Sequence, residues 1–172
     1  MSHNTGIYTY RLDEAVDIVT GYNNMYDGVS IARTVYSAND VTVIVDDIVS
    51  DDEHKYTQAF HLSDDMKVVS KSKDEILLAI ADTGFYVRIR QIDEYETEEL
   101  FVINGQNTLP DSKITGGYAS YGQNEFNTIT TLHFVKSGEN ARFVTAITIE
   151  DDEGNVVFSH ENDSDKNKYQ IY

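Results

Sequence analysis

The residues best suited to proton transfer stand at the start of the chain, where Ser2-His3-Asn4-Thr5 is followed by Tyr8 and Tyr10. A histidine beside a tyrosine can serve as base and acid. One removes a proton from carbon next to a carboxylate, and the other protonates a leaving oxygen. The carboxylate must be neutralised at the same time, so that charge can build on the carbon. The other histidines are His54, His61, His133 and His160. No two stand at the short spacing that places a pair of imidazoles around one metal. His54 and His61 point to opposite faces of a regular strand. Each histidine therefore reads as a packed or hydrogen-bonded strand residue. His133 shares a face with Thr131 and Val135 and reads as partly exposed on a sheet, with a pocket-facing role as the alternative.

Other chemistry-bearing patterns fail on spacing. Asp163-Ser164-Asp165-Lys166-Asn167 imitates the start of a calcium loop, but Lys168 stands where the sharp turn needs glycine, and no terminal glutamate follows. Asn162-Asp163-Ser164 fits a glycosylation acceptor and needs a secretory context. There is no nucleophile elbow and no phosphate-binding glycine loop. Gly116-Gly117 reads as a turn.

The elements that must position these residues are strands. Val41 to Val49 is β-branched, and His54 to Leu62 alternates. Tyr56, Gln58 and Phe60 share one face there, with Lys55, Thr57, Ala59 and His61 on the other. Asp51-Asp52-Glu53 reads as the turn of a hairpin between them. Further strands are expected at 29–36, 75–81, 85–92, 99–103, 127–135, 141–149 and 156–160. Phe85, Val87 and Ile89 are expected to face the core. Ser37-Ala38-Asn39-Asp40, Asp82-Thr83-Gly84, Ser137-Gly138-Glu139-Asn140 and 151–155 carry turn residues. Leu12 to Val19 has helical spacing over barely two turns. These patterns predict an all-β, mostly antiparallel two-layered β-sandwich over 1–160, with a polar tail over 161–172.

Composition narrows the function. The net charge of −17 opposes binding to nucleic acid or to anionic membranes, which needs basic surface. The acids are spread over many turns and read as a solvated surface, with diffuse calcium binding as the alternative. The absence of cysteine excludes disulfides and thiolate sites. No apolar run is long enough for a membrane-spanning helix, and the first ten residues do not read as a signal peptide.

Three ordered stretches resemble the C-terminal β-domain of the heparinase II/III-like polysaccharide lyases. Ser2-His3-Asn4-Thr5 is similar to the family's H-N-T segment. Tyr26-Asp27-Gly28-Val29, Arg33 and Asp46 to Leu62 resemble its first sheet strands. Gly117-Tyr118, Thr131-Leu132-His133-Phe134 and Asn140 to Thr145 resemble later ones.

The resemblance implies a β-sandwich that joins an N-terminal α/α-toroid and lines part of a polysaccharide cleft. It also implies that His3 is one ligand of a structural zinc. The family's other zinc and catalytic groups lie upstream of the H-N-T segment. Zinc needs three or four protein ligands, so His3 alone is expected to hold it only weakly, unless Asp13 or Asp17 assists. No cofactor and no catalytic residue is therefore expected of this chain alone. A parent protein would be secreted or lie in the cell envelope. The alternative is a stand-alone carbohydrate-binding sandwich that stacks sugars on Tyr118 and Tyr121. A structural module without a sugar ligand is the third reading.

Overall fold

A computed structural model describes residues 4–12, 15–94, 96–105, 117–123 and 125–157. They form ten strands: β1 (Thr5–Arg11), β2 (Asp17–Tyr26), β3 (Val29–Ser37), β4 (Thr42–His61), β5 (Met66–Lys71), β6 (Glu75–Ile80), β7 (Tyr86–Gln91), β8 (Glu99–Asn104), β9 (Gly117–Gly122) and β10 (Glu125–Glu150). Every strand pairing is antiparallel. The order is β1-β2-β3-β4-β10-β7-β6-β5, and β8 and β9 also pair with β10. The predicted all-β sandwich is the fold observed.

Two strands make the architecture. β4 runs for 20 residues and β10 for 26, and they stay paired along most of that length. Twelve residues of straight strand span roughly 40 Å. Yet Gln58 donates to Asp46 on the same strand at 2.9 Å. The strand must therefore bend back on itself, and β10 bends with it. The first half of β4 and the second half of β10 lie in one layer with β1–β3 and β5–β7. Their other halves, with β8 and β9, form the second layer.

The corner is where sequence expectation and structure part. Asp51-Asp52-Glu53 does not reverse the chain, and Ser137 to Asn140 does not end a strand. The two polar breaks face each other instead. The ladder passes from Gly138 opposite His54 to Asn140 opposite Val49, a bulge that leaves the acidic residues on the outside of the bend. Gly138 takes φ of 147°, and Tyr56 donates its hydroxyl to the Glu139 carbonyl. Turn residues thus mark a bend that keeps its partner strand. The helical spacing noted from Leu12 to Val19 is not followed at its end, where Asp17, Ile18 and Val19 open β2. Pairing with β1 and β3 outweighs the weak propensity of so short a helix.

The core lies between the layers. Ile76, Leu78, Val87, Ile89 and Phe143 of the first pack against Leu100, Leu132 and Phe134 of the second. Phe60 meets Phe134 edge to face at 6.2 Å. Tyr56 and Gln58 share a face as their alternation requires, and that face is buried, while Lys55, Thr57, Ala59 and His61 are exposed. Phe85 departs from its expected place. It precedes β7 beside the Asp82-Thr83-Gly84 turn and is 41% exposed. The turns at 37–40 and 151–155 are present. Four strands, β1, β2, β5 and β9, go beyond those expected from sequence. The 161–172 tail, His160 and the glycosylation and calcium-loop patterns lie outside the described residues.

Candidate functional site

The second layer covers only part of the first layer's inner face. Residues in register across the sheet share a face. One inner row runs Ile7, Gly21, Arg33, Asp46, Phe143, and the next runs Thr5, Asn23, Ile31, Ile48, Ala141. Phe143, Ala141 and Ile48 are core. Toward β1 the same rows open outward, and Ile7 is 71% exposed. Gly21 contributes no side chain, so a hollow of about 540 Å³ forms beside Arg33, bordered by Thr5, Ile7, Asn23 and Ile31.

Arg33 is the strongest charge in this hollow and it is fixed from behind. Its Nε and Nη2 donate to the two Asp46 carboxylate oxygens at 2.6 and 2.7 Å. Asp46 is buried, while the Arg33 side chain remains 53% exposed. The hydrogen bonds to Asp46 raise the guanidinium's pKa above its ordinary value, against the desolvation that lowers it. The fork is therefore charged at every accessible pH.

Gln58, arriving from the second layer, supplies the third donor to Asp46. Its own carbonyl accepts from Thr145 Oγ1 at 2.5 Å and from Gln91 Nε2 at 2.9 Å. Gln91 Nε2 also donates to Thr145 Oγ1. A buried polar chain thus links both layers to one guanidinium at the open face. Gln91 Oε1 alone in this network has no partner among the described residues, and turning Gln58 or Arg33 away would leave further buried groups unpaired.

The remaining sequence candidates are scattered. His3 and Asp13 lie outside the described residues, and Asp17 opens β2. Tyr8 and Tyr10 stand exposed on β1. His54 stacks edge-on to Tyr56 at 5.8 Å. The side chains of Tyr118 and Tyr121 lie outside the described set. His133 corrects the partly exposed reading, since it is buried at 3% exposure with Thr131 Oγ1 at 3.1 Å from Nε2. Burial lowers its pKa, and the nearby His61 lowers it further. Its Nδ1 has no hydrogen-bond partner among the described residues. No group of three or more histidine or acidic side chains among the described residues is placed to hold a metal ion. These residues do not supply zinc's ligand set, so no zinc chemistry is derived from them. Among the described residues no helix is long and apolar enough to cross a membrane.

Sequence reasoning named Arg33 and Asp46 only within the stretches that carry the family resemblance, not as site residues. It placed Gln58 on one face with Tyr56 and Phe60; the structure turns that face inward, where a glutamine belongs to a buried polar network. Gln91, Thr145, Gly21 and Asn23 gave no comparable signal.

Bent paired strands carrying a two-layered antiparallel sandwich, with one face left open, define the class of fold. The domain model described as heparinase II/III-like, C-terminal, matches residues 4–150. The chain belongs to that family. No sequence among the curated proteins matches it. Among solved structures it is similar to the heparan sulfate lyase HepC from Pedobacter heparinus, with a TM-score of 0.71 and 17% identity over 86% of this chain and 22% of that one. A mutant of the same lyase gives 0.69 and 14% identity over 90% of this chain and 27% of that one. A heparinase III gives 0.66 and 17% over 83% and 21%. The chain therefore spans about a quarter or less of the length of these structures, and at such identities they establish the fold alone.

Proposed function

We propose that this chain is the C-terminal sandwich of a polysaccharide lyase acting on uronic-acid glycans. In this reading it supports a preceding catalytic α/α-toroid, forms one wall of the substrate cleft and is inactive alone. The family match over 4–150 carries the proposal. The open inner face of β1–β3 adds to it. Ile7, Tyr8, Tyr10, Leu12, Met25 and Tyr26 are all exposed on or next to β1 and β2, apolar side chains that a docked domain would cover. The parent would be secreted or held in the cell envelope, where its polymer substrates lie. His3 would join a zinc site only in such a parent.

Unsaturated uronate formed from heparan sulfate, alginate or hyaluronan is followed by its absorbance. The isolated chain is expected to give no turnover. Turnover that disappears in His3→Ala or Tyr10→Phe would show that the chain carries its own catalytic set. Calorimetry with zinc is expected to show only weak binding. A tight stoichiometric site lost in His3→Ala would overturn that expectation.

A second reading, the stand-alone carbohydrate-binding sandwich, draws support from exposed Tyr8 and Tyr10 on β1. Tight glycan binding without any partner domain, lost when both tyrosines become alanine, would favour it.

A further inference from the structure

The hollow beside Arg33 has no conformational reason to exist. A glycine inside a strand costs stability, and it commonly marks a place where a ligand or another backbone approaches closely. Gly21 has an ordinary strand φ. A Cβ built on it meets its nearest neighbour, the Gly6 carbonyl oxygen, at 3.4 Å, an ordinary contact. The backbone would therefore accept a side chain at position 21, and the fold leaves the space empty.

The charge around the hollow points to its occupant. The chain carries 30 acidic residues, yet no Asp or Glu is among the described residues that line this space. The acid nearest in the sheet is Asp46, which is buried behind Arg33 and already engaged by it. Arg33 Nη1 stands outside that pair. On the neighbouring row the Asn23 amide nitrogen can donate, its oxygen being taken by the Met25 N–H, and the Thr5 hydroxyl, which donates to the Tyr22 carbonyl, can accept; Ile7 and Ile31 give an apolar wall. Planar donors beside an aliphatic wall suit a pyranose ring, with its carbon-bound hydrogens on one side and oxygens around its rim. A volume of about 540 Å³ leaves room for more than one ring.

We infer that the hollow floored by Gly21 is a subsite for an acidic sugar residue, whose carboxylate accepts a hydrogen bond from the Arg33 guanidinium. Asp46 and Gln58 act as positioning residues, holding the fork toward the open face. Because Asp46 offsets the charge of Arg33, recognition depends on donor geometry more than on long-range attraction. Binding is thus compatible with a chain of strong negative charge. This inference rests on the polysaccharide-lyase reading and locates one of its sugar contacts.

Calorimetric titration of the whole chain with a hyaluronan hexasaccharide, which carries carboxylates and no sulfate, tests it. The same sugar with its carboxyls reduced, and a heparan sulfate hexasaccharide, are the comparison ligands. Expected is measurable binding to hyaluronan, weakened about tenfold or more by carboxyl reduction, as loss of a charge-assisted hydrogen bond predicts. Gly21→Leu, which fills the hollow and leaves Arg33 and Asp46 untouched, is expected to abolish binding while the urea midpoint shows the fold intact. Arg33→Lys should weaken binding as carboxyl reduction does. Equal binding to the reduced sugar overturns the role of the carboxylate. Binding to the sulfated sugar alone overturns it too, in favour of a sulfate. Unchanged affinity in a folded Gly21→Leu overturns the location. Absence of binding to all three sugars overturns the subsite, whereas the lyase reading is judged separately by its turnover assay.

Discussion

A single carboxylate holds the open face in order. Asp46 is buried and accepts three hydrogen bonds, two from Arg33 and one from Gln58. Removing one partner of such a set costs more than the set contributes, because the others remain buried and unpaired. Arg33 is half-exposed and can turn to water, so the cost falls at the lower end of the range. Asp46→Ala is expected to destabilise the fold by about 2 kcal/mol, measured as a shift in urea unfolding. A change below about 0.5 kcal/mol, the scale of ordinary surface substitutions, would show that the network is not structural.

His133 makes the second residue-scale prediction, in pH. Its folded pKa is depressed, first by burial and then by His61. Below the ordinary histidine pKa the unfolded chain takes up a proton that the folded chain refuses. Stability from this group is therefore complete above about pH 6.5 and is lost as pH falls toward the depressed value. The carboxylates titrate lower and are common to both proteins in a comparison with His133→Gln. The wild type should lose more stability between pH 7.5 and 5.5 than the variant. Parallel loss in the two would refute a neutral buried imidazole.

At the scale of elements, the bend decides the fold. Gly138 adopts φ of 147°, and a Cβ there would stand 3.0 Å from the Asn140 carbonyl oxygen. Gly138→Ala should therefore cost about 1–3 kcal/mol, the strain of a side chain forced into that region. Thermal unfolding monitored by circular dichroism reads the loss. An unchanged midpoint would mean that the corner relaxes freely.

The same corner shows how far local sequence reaches. Alternation from His54 onward assigned the correct faces to Tyr56, Gln58 and Phe60, because period-two burial is a local property of a strand. Asp51-Asp52-Glu53 and Ser137 to Asn140 were legible as breaks but not as bends. Whether a polar break reverses the chain or bends it depends on the neighbouring strand, and β4 keeps β10 across the corner. β1 and β2 were missed because Tyr8, Tyr10 and Asn23 to Tyr26 lack clean alternation. β2 is specified by its ladders with β1 and β3, and β1 by its ladder with β2.

At the scale of the whole molecule, the pairing of β4 with β10 joins residues 70 to 105 apart in sequence, from Thr131 opposite His61 to Ile147 opposite Thr42. Such long-range pairing closes a large loop before its contacts give any return, and non-local β topologies fold in milliseconds to seconds. Stopped-flow refolding from urea is expected in that range. A main phase in the microsecond range would contradict the pairing as the rate-determining event.

The sequence by itself determined the all-β class, which residues of the clearest strands share a face, an acidic surface unsuited to nucleic acid, and the ordered motifs that carry the family resemblance. These are properties of single residues and of short periodic runs, and they survive without knowledge of the partner strands. Tertiary structure decided the rest. It joined the two halves of β4 into one bent strand, buried His133, set Gln58 on Asp46, and brought Gln91 and Thr145 from distant segments onto Gln58. It also set Gly21 opposite Arg33, so that a missing side chain became a hollow. Register between strands far apart in sequence fixes each of these outcomes, and no local pattern encodes that register.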